Sequence, residues 1–465
     1  MNNISEDGKR IFQDLVVELA RAYRLWINDH DSYYQEIKKS NLIFTIIDSP
    51  KDLEKEMLRK IHDGEPCIYQ LFHTNKSLNL SSELSVVIRK CGNINCLPNE
   101  LHQVINEITY EYINSTISDF FEILDNNLKR DIILDECFKN IVSTRISIFK
   151  KGFSSTLYQF PVAVFNLDRD VKLSDNSKLT LIDSTNLKEK ELMMFNKTRL
   201  YKSNFFLEIF VKAKCSQKLS LQLAEKARDA IYNILKLLAT NLSPQAIPLL
   251  TSNDKIVSPF HFYRYGPNRN NFSNATTRNF PYFQFDSKEF WDEFHKNQNE
   301  VNSLIPIAFQ IVELLLIPNF SNERVADRCE RALLWYGDAV TEYIPYQKIQ
   351  KIVSSMEALV NFRDGDITET FKRRITNLHV SYKGVNEDIR EKARQLYDAR
   401  SKIVHGFSHD EKLNFCTIEF CSETLLRAIY YFSVFGLDKT NFRKSLPKFL
   451  DEIPINIEPK VNSQS

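Results

Sequence analysis

The chain has 465 residues, enough at about 150 per domain for roughly three domains with well-buried cores. Apolar residues at 43% and charged residues at 26% exclude a disordered, collagen-like or disulfide-scaffold chain. The 61 basic and 60 acidic residues nearly cancel, so a nucleic-acid or membrane partner would have to be met by a local patch.

Residues 1–150 read as a helical region. In Lys9–Ile27 the residues Ile11, Leu15, Val16, Leu19, Ala22, Tyr23 and Trp26 recur at three- and four-residue steps, one apolar stripe of an amphipathic helix. Leu97-Pro98-Asn99 reads as a loop leading into a cap, and Leu101, Val104, Ile105, Ile108 and Tyr112 repeat the stripe. Glu136–Phe149 adds a further helix.

The character changes after Lys151-Gly152, and 151–320 reads as an α+β domain. Short β-prone runs are Val162–Leu167, Lys178–Ile182, Phe205–Lys214 and Tyr282–Phe285. The third alternates, with Phe206, Glu208, Phe210 and Lys212 against Leu207, Ile209, Val211 and Ala213. A long connecting helix, Leu221–Ala239, follows, and the Asn-rich Asn268–Asn274 reads as a connection.

Residues 321–465 read as a helical bundle, which makes the expected fold mainly α. Ser321-Asn322-Glu323 suits a cap before Arg324–Tyr343, whose apolar positions include Leu333, Leu334, Val340 and Tyr343. Pro345 opens a second helix with a regular stripe of Ile349, Ile352, Val353, Met356, Leu359 and Val360. Further helices are expected at Thr368–His379, at Asn386–Val404 with Gly406 as its C-cap, and at Leu413–Phe435 with Gly436 beyond it.

Much familiar chemistry is absent from the sequence. No Gly-rich phosphate loop, HExxH or GxSxG occurs, which argues against ATP hydrolysis, dinucleotide redox chemistry and the common hydrolase classes. With only 10 glycines against 33 Phe and 19 Tyr, the composition favours aromatic-rich helical cores. The eight cysteines read as reduced and mostly buried thiols. The first ten residues lack the apolar run of a signal peptide, and the longest apolar run, Leu304–Ile317, is too short and polar to span a bilayer. The expected location is therefore cytoplasmic. Cys91 and Cys96, with Cys67, His73 and His102 nearby in sequence, are soft ligands, but they lack paired knuckle spacing and read more simply as ordinary thiols. No metal or other cofactor is expected. Cys416 and Cys421 read as core residues. Lys372-Arg373-Arg374 is a basic run that suits either phosphate or a solvated helix face.

The most informative stretch is Leu396-Tyr397-Asp398-Ala399-Arg400-Ser401-Lys402-Ile403-Val404-His405-Gly406. Five helical steps rotate about 500°, so Arg400 and His405 diverge by about 140° unless the helix ends between them. Gly406 allows the helix to stop at His405 and the histidine to swing out. Unpaired carbonyls at a helix C-terminus favour a cationic side chain, which suits His405 to hold or pass a proton. Arg400 offers a planar fork for a phosphate. Together they match what RNA cleavage without a metal needs: proton transfer at the 2′-hydroxyl and 5′-oxygen, and a fixed cation beside the phosphorane-like transition state. Spacing alone, however, equally suits a helix end that merely satisfies its carbonyls and dipole.

The run LYDARSKIVHG, preceded by SSMEALV and ETFKRRITNL, resembles the HEPN domain in its Apea-like subgroup, over roughly Glu323–Gly436. The resemblance implies a helical bundle whose R-x4-6-H motif corresponds to Arg400 and His405. It implies a metal-independent endoribonuclease acting as a dimer, in which motifs from two protomers meet in one composite cleft. Ser401 corresponds to the small or polar residue after the arginine, Glu357 to the acidic residue of the ALE-type helix, and Arg374 to the arginine of the following helix. Glu357 is then an orienting partner for Arg374 or Arg400, or a plain surface charge. Lys372, Arg373 and Lys402 are candidate RNA contacts; Tyr397 is expected to pack; His409 is either a second proton-transfer group or a polar loop residue. Between Asp366 and Lys412 ten Lys/Arg face eight Asp/Glu, which is no broad cationic funnel. Proteins of the subgroup are linked to bacterial abortive infection against phage, which implies RNA (tRNA among the candidates) as substrate, a phage-derived trigger and a sensor or regulatory role for residues 1–320. The alternative reading is a non-catalytic HEPN module that serves dimerisation or RNA binding.

Overall fold

A computed structural model describes residues 5–45, 70–115, 135–162, 164, 167–183, 205–242, 261–265, 271–275, 288–298, 300, 303–319, 322–342, 344–362, 364–380, 387–406 and 413–456. The fold is mainly helical with a small sheet. Residues 1–154 with 214–220 form one compact unit, and 155–213 with 221–465 form the other. Among the described residues, no helix is long and apolar enough to cross a membrane.

The first unit carries α1 (Glu6–Asn28), α2 (His30–Glu36), β1 (Ile37–Thr45), β2 (Gln70–Thr74), α3 (Asn75–Cys91), α4 (Pro98–Ser115) and α5 (Asp135–Lys150). Ser5 caps α1 by accepting the Gly8 amide at 3.2 Å, and Thr74 caps α3 through the Ser77 amide at 3.1 Å. The apolar stripe expected along α1 faces the core, where Phe12 stacks on Phe138 at 4.1 Å and meets Tyr112 edge-on at 5.2 Å. The helical reading of this region missed an element pair, because β1 and β2 form an antiparallel two-stranded sheet. It also missed α3, whose serine-rich sequence masks its stripe: Ser77, Ser81, Leu84, Ser85, Ile88 and Arg89 are its buried positions.

The second unit contains β3 (Ser154–Val162), β4 (Val171–Lys172), β5 (Ser177–Leu181), β6 (Phe205–Cys215), α6 (Gln217–Leu242), β7 (His261–Tyr265), β8 (Asn271–Ala275), α7 (Lys288–Asn297), α8 (Leu304–Leu315), α9 (Val325–Val340), α10 (Pro345–Val360), α11 (Ile367–Leu378), α12 (Glu387–Val404), α13 (Thr417–Phe435) and α14 (Ser445–Asn456). The strands form one six-stranded sheet in the order β4-β5-β6-β3-β7-β8. Several expectations need correction here. The strand placed at Val162–Leu167 ends where it was expected to begin, since β3 runs from Ser154 to Val162. The supposed connection Asn268–Asn274 holds the first residues of β8, paired antiparallel with β7, and Tyr282–Phe285 lies outside the described residues. Phe205–Ile209 of β6 are buried on both faces of the strand, so alternation there does not separate core from solvent. Its polar member, Glu208, accepts from the Gln159 side chain at 2.7 Å and lies 3.4 Å from Lys178.

Sequence composition divides the chain at residue 320, but the structure keeps the sheet and the bundle in one compact unit. The physical reason is packing. Helix α6 lays Arg228 over the Phe160 ring of β3 at 5.0 Å, while its far end bonds Thr240 to Tyr336 of α9 at 2.7 Å. The apolar run at Leu304–Leu315 is itself a bundle helix, packed on α9 and α13, and its Glu313 accepts from the Asn176 amide beside β5 at 2.9 Å.

Helix α10 is central in the bundle, packing against α9, α11, α12 and α13. Its Ser355 hydroxyl reaches the Ala332 carbonyl of α9 at 2.7 Å, so a small polar residue lets the two helices approach. Pro345 occupies the first turn of α10 as expected. The cap of α9 differs from the expected Ser321-Asn322-Glu323: Arg324 is the N-cap, and its amide donates to Asp327 at 2.9 Å. The amides of Val325 and Ala326 are taken up by the Lys439 and Leu437 carbonyls, distant in sequence. Of the apolar positions noted along α9, Leu333 and Val340 are buried and Leu334 is 44% exposed; Cys329, Ala332 and Tyr336 join the core face. Gly406 and Gly436 have φ of +80° and +117°, the left-handed conformation that ends α12 and α13.

Arg374 of α11, 1% exposed, joins three elements. It donates to the Val360 carbonyl ending α10 at 2.8 Å, to Asp364 at 2.5 and 3.1 Å, and to Asp451 of α14 at 3.0 Å through two nitrogens. Its guanidinium also lies 5.5 Å from the centre of the Phe362 ring. Helix α14, absent from the sequence reading, is thus held by a charge the sequence did place.

Three measurements test this packing. A Cβ at Gly337 would fall 1.8 Å from Asn233 Oδ1. Gly337→Ala is therefore expected to destabilise by about 1–3 kcal/mol in chemical denaturation, and adding Asn233→Ala should recover most of the loss. Equal losses with and without Asn233 would contradict the close approach. Arg374→Met is expected to cost about 3 kcal/mol, because it strands Asp364 and the Val360 carbonyl and leaves Asp451 to Arg373 alone. Hydrogen bonds from Arg374 hold the Asp364 carboxyl below the usual aspartate range. A depressed folded-state pKa means that this stabilisation is complete above the unfolded value of about 4 and is lost as pH falls through the lower folded value. The unfolding free energies of wild type and Asp364→Asn should accordingly differ at neutral pH, begin to approach each other below about pH 4, and converge only below the lower folded value.

Candidate functional site

The residues singled out near the C-terminus come from α10, α11 and α12. In α10 the stripe Ile352, Val353, Met356, Leu359 and Val360 is fully buried, and Glu357 sits one residue off it, 18% exposed. In α12 the buried set is Ile389, Ala393, Leu396, Tyr397 and Ala399, which leaves Arg400 at the edge of the core, 31% exposed. The helical register of both therefore brings Glu357, Tyr397 and Arg400 to one seam. Glu357 Oε1 accepts from the Tyr397 hydroxyl at 3.3 Å, and its Oε2 lies 3.7 Å from the Arg400 guanidinium.

Each contact has a physical consequence. At 3.7 Å the Glu357–Arg400 pair is an ion pair without a close hydrogen bond, and at partial exposure such a pair contributes about 1 kcal/mol or less. It aims the guanidinium without saturating its five N–H donors. Tyr397 packs its ring 4.9 Å from Phe371 of α11, and burial, then the Glu357 charge, pushes its phenol above the ordinary range. It is a neutral donor that fixes the carboxylate. Arg374, the other candidate partner for Glu357, is instead turned toward Val360, Asp364 and Asp451. Its role here is structural.

His405 is exposed and follows the last residue of α12. The helix ends at Val404 as expected, and beyond it the His405 amide reaches the Ser401 carbonyl at 3.1 Å and the Gly406 amide the Ile403 carbonyl at 3.1 Å. The backbone thus continues the helical progression to His405, and the divergence of about 140° from Arg400 is retained within one chain. Ser401 is half-buried and Lys402 exposed in this last turn, and His409 lies outside the described residues.

The basic run is committed elsewhere. Lys372 pairs with Glu369 one turn away, and Arg373 reaches Asp451 at 3.1 Å. Two of the three candidate RNA contacts therefore already have acidic partners within the bundle. Among the sulfur and imidazole candidates, His73 bonds Ser77 at 3.0 Å and Asn106 at 3.1 Å. Cys96 is buried, which pushes its thiol up to about 12, whereas Cys91 is exposed and Cys67 lies outside the described residues. Among the described residues, no group of three His, Cys, Asp or Glu is placed to hold a metal ion. Cys421 is a core residue as expected, but Cys416 is the exposed N-cap of α13.

The sequence reading did not anticipate a groove of about 470 Å³ between α9, α10 and α12. Arg400, Ile403 and Val404 form one wall, Tyr346, Gln347, Gln350, Lys351 and Ser354 another, and Trp335 closes it from α9. Trp335 and Tyr346 are 43% and 53% exposed. The only signal in the sequence was their position: large aromatics standing off the apolar stripe of their helices.

Comparison of the chain with protein-family models, with curated proteins and with solved structures gave no match.

Proposed function

We propose that the protein is a metal-independent endoribonuclease of HEPN type, working as a homodimer. The observation that supports this reading best is Arg400, aimed by Glu357 and lining an open groove, with an exposed histidine five residues later at the helix end. In the reaction, a histidine takes the proton of a ribose 2′-hydroxyl as that oxygen attacks the adjacent phosphorus. The bond to the 5′-oxygen breaks, and the leaving oxygen receives a proton. The products are a 2′,3′-cyclic phosphate and a 5′-hydroxyl. Arg400 offsets the charge that builds on the phosphorane oxygens. Because His405 diverges from Arg400 within one chain, the pair converges on one phosphate when Arg400 serves beside the histidine of a second copy. Two histidines then divide the roles of base and acid.

The resemblance of the LYDARSKIVHG stretch to the Apea-like HEPN motif further supports a role in abortive infection, with the cleavage of host RNA held back until a phage-derived trigger is met. Residues 1–320 are the proposed regulatory part.

The test is cleavage of total RNA by purified full-length protein, with fragment ends mapped. His405→Ala and Arg400→Ala are each expected to lose about 10²-fold or more in rate, and excess chelator to leave wild-type cleavage intact. Glu357→Gln is expected to lose less, because Arg400 stays in place but is less well aimed. Loss of cleavage in chelator, or an unchanged rate in His405→Ala, would sink the mechanism. In a bacterial host, growth arrest by wild type but not by His405→Ala, at rest or under phage challenge, tests the defence role.

A further inference from the structure

We infer that the groove beside Arg400 is a nucleobase subsite, which restricts the substrate to single-stranded RNA; this rests on the ribonuclease reading. The argument begins with the charges of the groove. Lys351 would make it cationic, but its ammonium bonds Glu342 at 2.6 Å, and Glu342 is itself 2% exposed. Arg400, loosely held by Glu357, is the remaining cation among the lining side chains. A phosphate backbone therefore has a reason to touch one edge of the groove and little reason to follow it.

The rest of the lining suits a flat, neutral ring. Trp335 and Tyr346 leave about half of their surface open, in a protein whose other described tryptophan with a placed side chain, Trp291, is 2% exposed. Gln347 and Gln350 bring amides that both donate and accept, as the edges of a base require, and Ser354 adds a hydroxyl. Aromatic faces with amides around them are how proteins hold unstacked bases. The groove volume, about 470 Å³, falls in the range of small-molecule sites. Seating a base there with its phosphate at Arg400 puts the scissile bond beside α12, where the histidine of a second copy acts in the proposed dimer. A base stacked in a duplex cannot enter, so the site selects unpaired RNA.

The experiment uses full-length His405→Ala, which keeps the groove, and a fluorescein-labelled unstructured oligoribonucleotide, read by anisotropy. The same strand annealed to its complement is the control, and sedimentation velocity is run on each variant. Trp335→Leu is expected to weaken binding of the single strand about tenfold or more, and Trp335→Phe, which keeps an aromatic face, to stay within about threefold. Sedimentation should be unchanged, and the duplex should bind more weakly than the strand. Equal affinity in Trp335→Leu, with unchanged cleavage positions in the otherwise wild-type chain, overturns the subsite and leaves the ribonuclease reading standing. A change in sedimentation assigns the groove to a second copy of the chain and overturns it as well. Absence of both RNA binding and wild-type cleavage removes the ribonuclease reading, and the subsite with it.

Discussion

The geometry of the bundle depends on one buried cation. Arg374 is almost wholly enclosed, and a guanidinium without partners in such a place would be prohibitive. It is tolerable only because the last carbonyl of α10, the Asp364 carboxylate in the α10–α11 connection and Asp451 of α14 converge on it. The demand runs both ways. Those three groups can sit there only if the C-terminal end of α10, the start of α11 and α14 hold fixed positions. Glu357 lies one turn before the anchored carbonyl of Val360, so the clamp also sets where that carboxylate stands relative to α12.

What is anchored and what is exposed divide cleanly at the candidate site. Glu357, Tyr397 and Arg400 stand on helices whose opposite faces are fully buried, so their placement follows from core packing. His405 stands beyond the last helical residue, followed by a glycine in the left-handed conformation. A site with a rigid cation and a histidine at a helix end suits chemistry in which the charge is positioned first and the proton group completes the arrangement. The same division explains why the basic run on α11 reads so differently in sequence and in space. Lys372 and Arg373 look like a patch, yet Lys372 pairs with Glu369 on its own helix and Arg373 with Asp451 of α14.

The legible part of the fold was the part written in local periodicity. The stripes of α1, α4 and α10 and the span of α5 sit where the sequence places them, as do Pro345 at the start of α10 and the glycines that end α12 and α13. Strands β5 and β6 were legible for the same reason. The illegible part was held by distant partners. Strands β1, β2, β7 and β8 are stabilised across the ladder, and their own residues alternate weakly. The cap of α9 uses carbonyls more than a hundred residues away, and α14 is tied to α11 by Arg374 and Arg373, which sequence alone presents as a basic run suited to phosphate or solvent.

The sequence by itself determined that the chain is mainly helical, that α12 ends at a glycine, and that an arginine and a histidine stand five residues apart at that end. These follow from hydrophobic period and from the φ angles glycine permits, which act within one turn of the chain. Tertiary structure alone decided that Glu357 faces Arg400 and not Arg374, that the sheet and the bundle share one unit, and that two exposed aromatics and two amides border a groove at Arg400. Those facts concern which helix faces meet. That is settled by shape and by the pairing of buried charges, both of which depend on residues far apart in sequence.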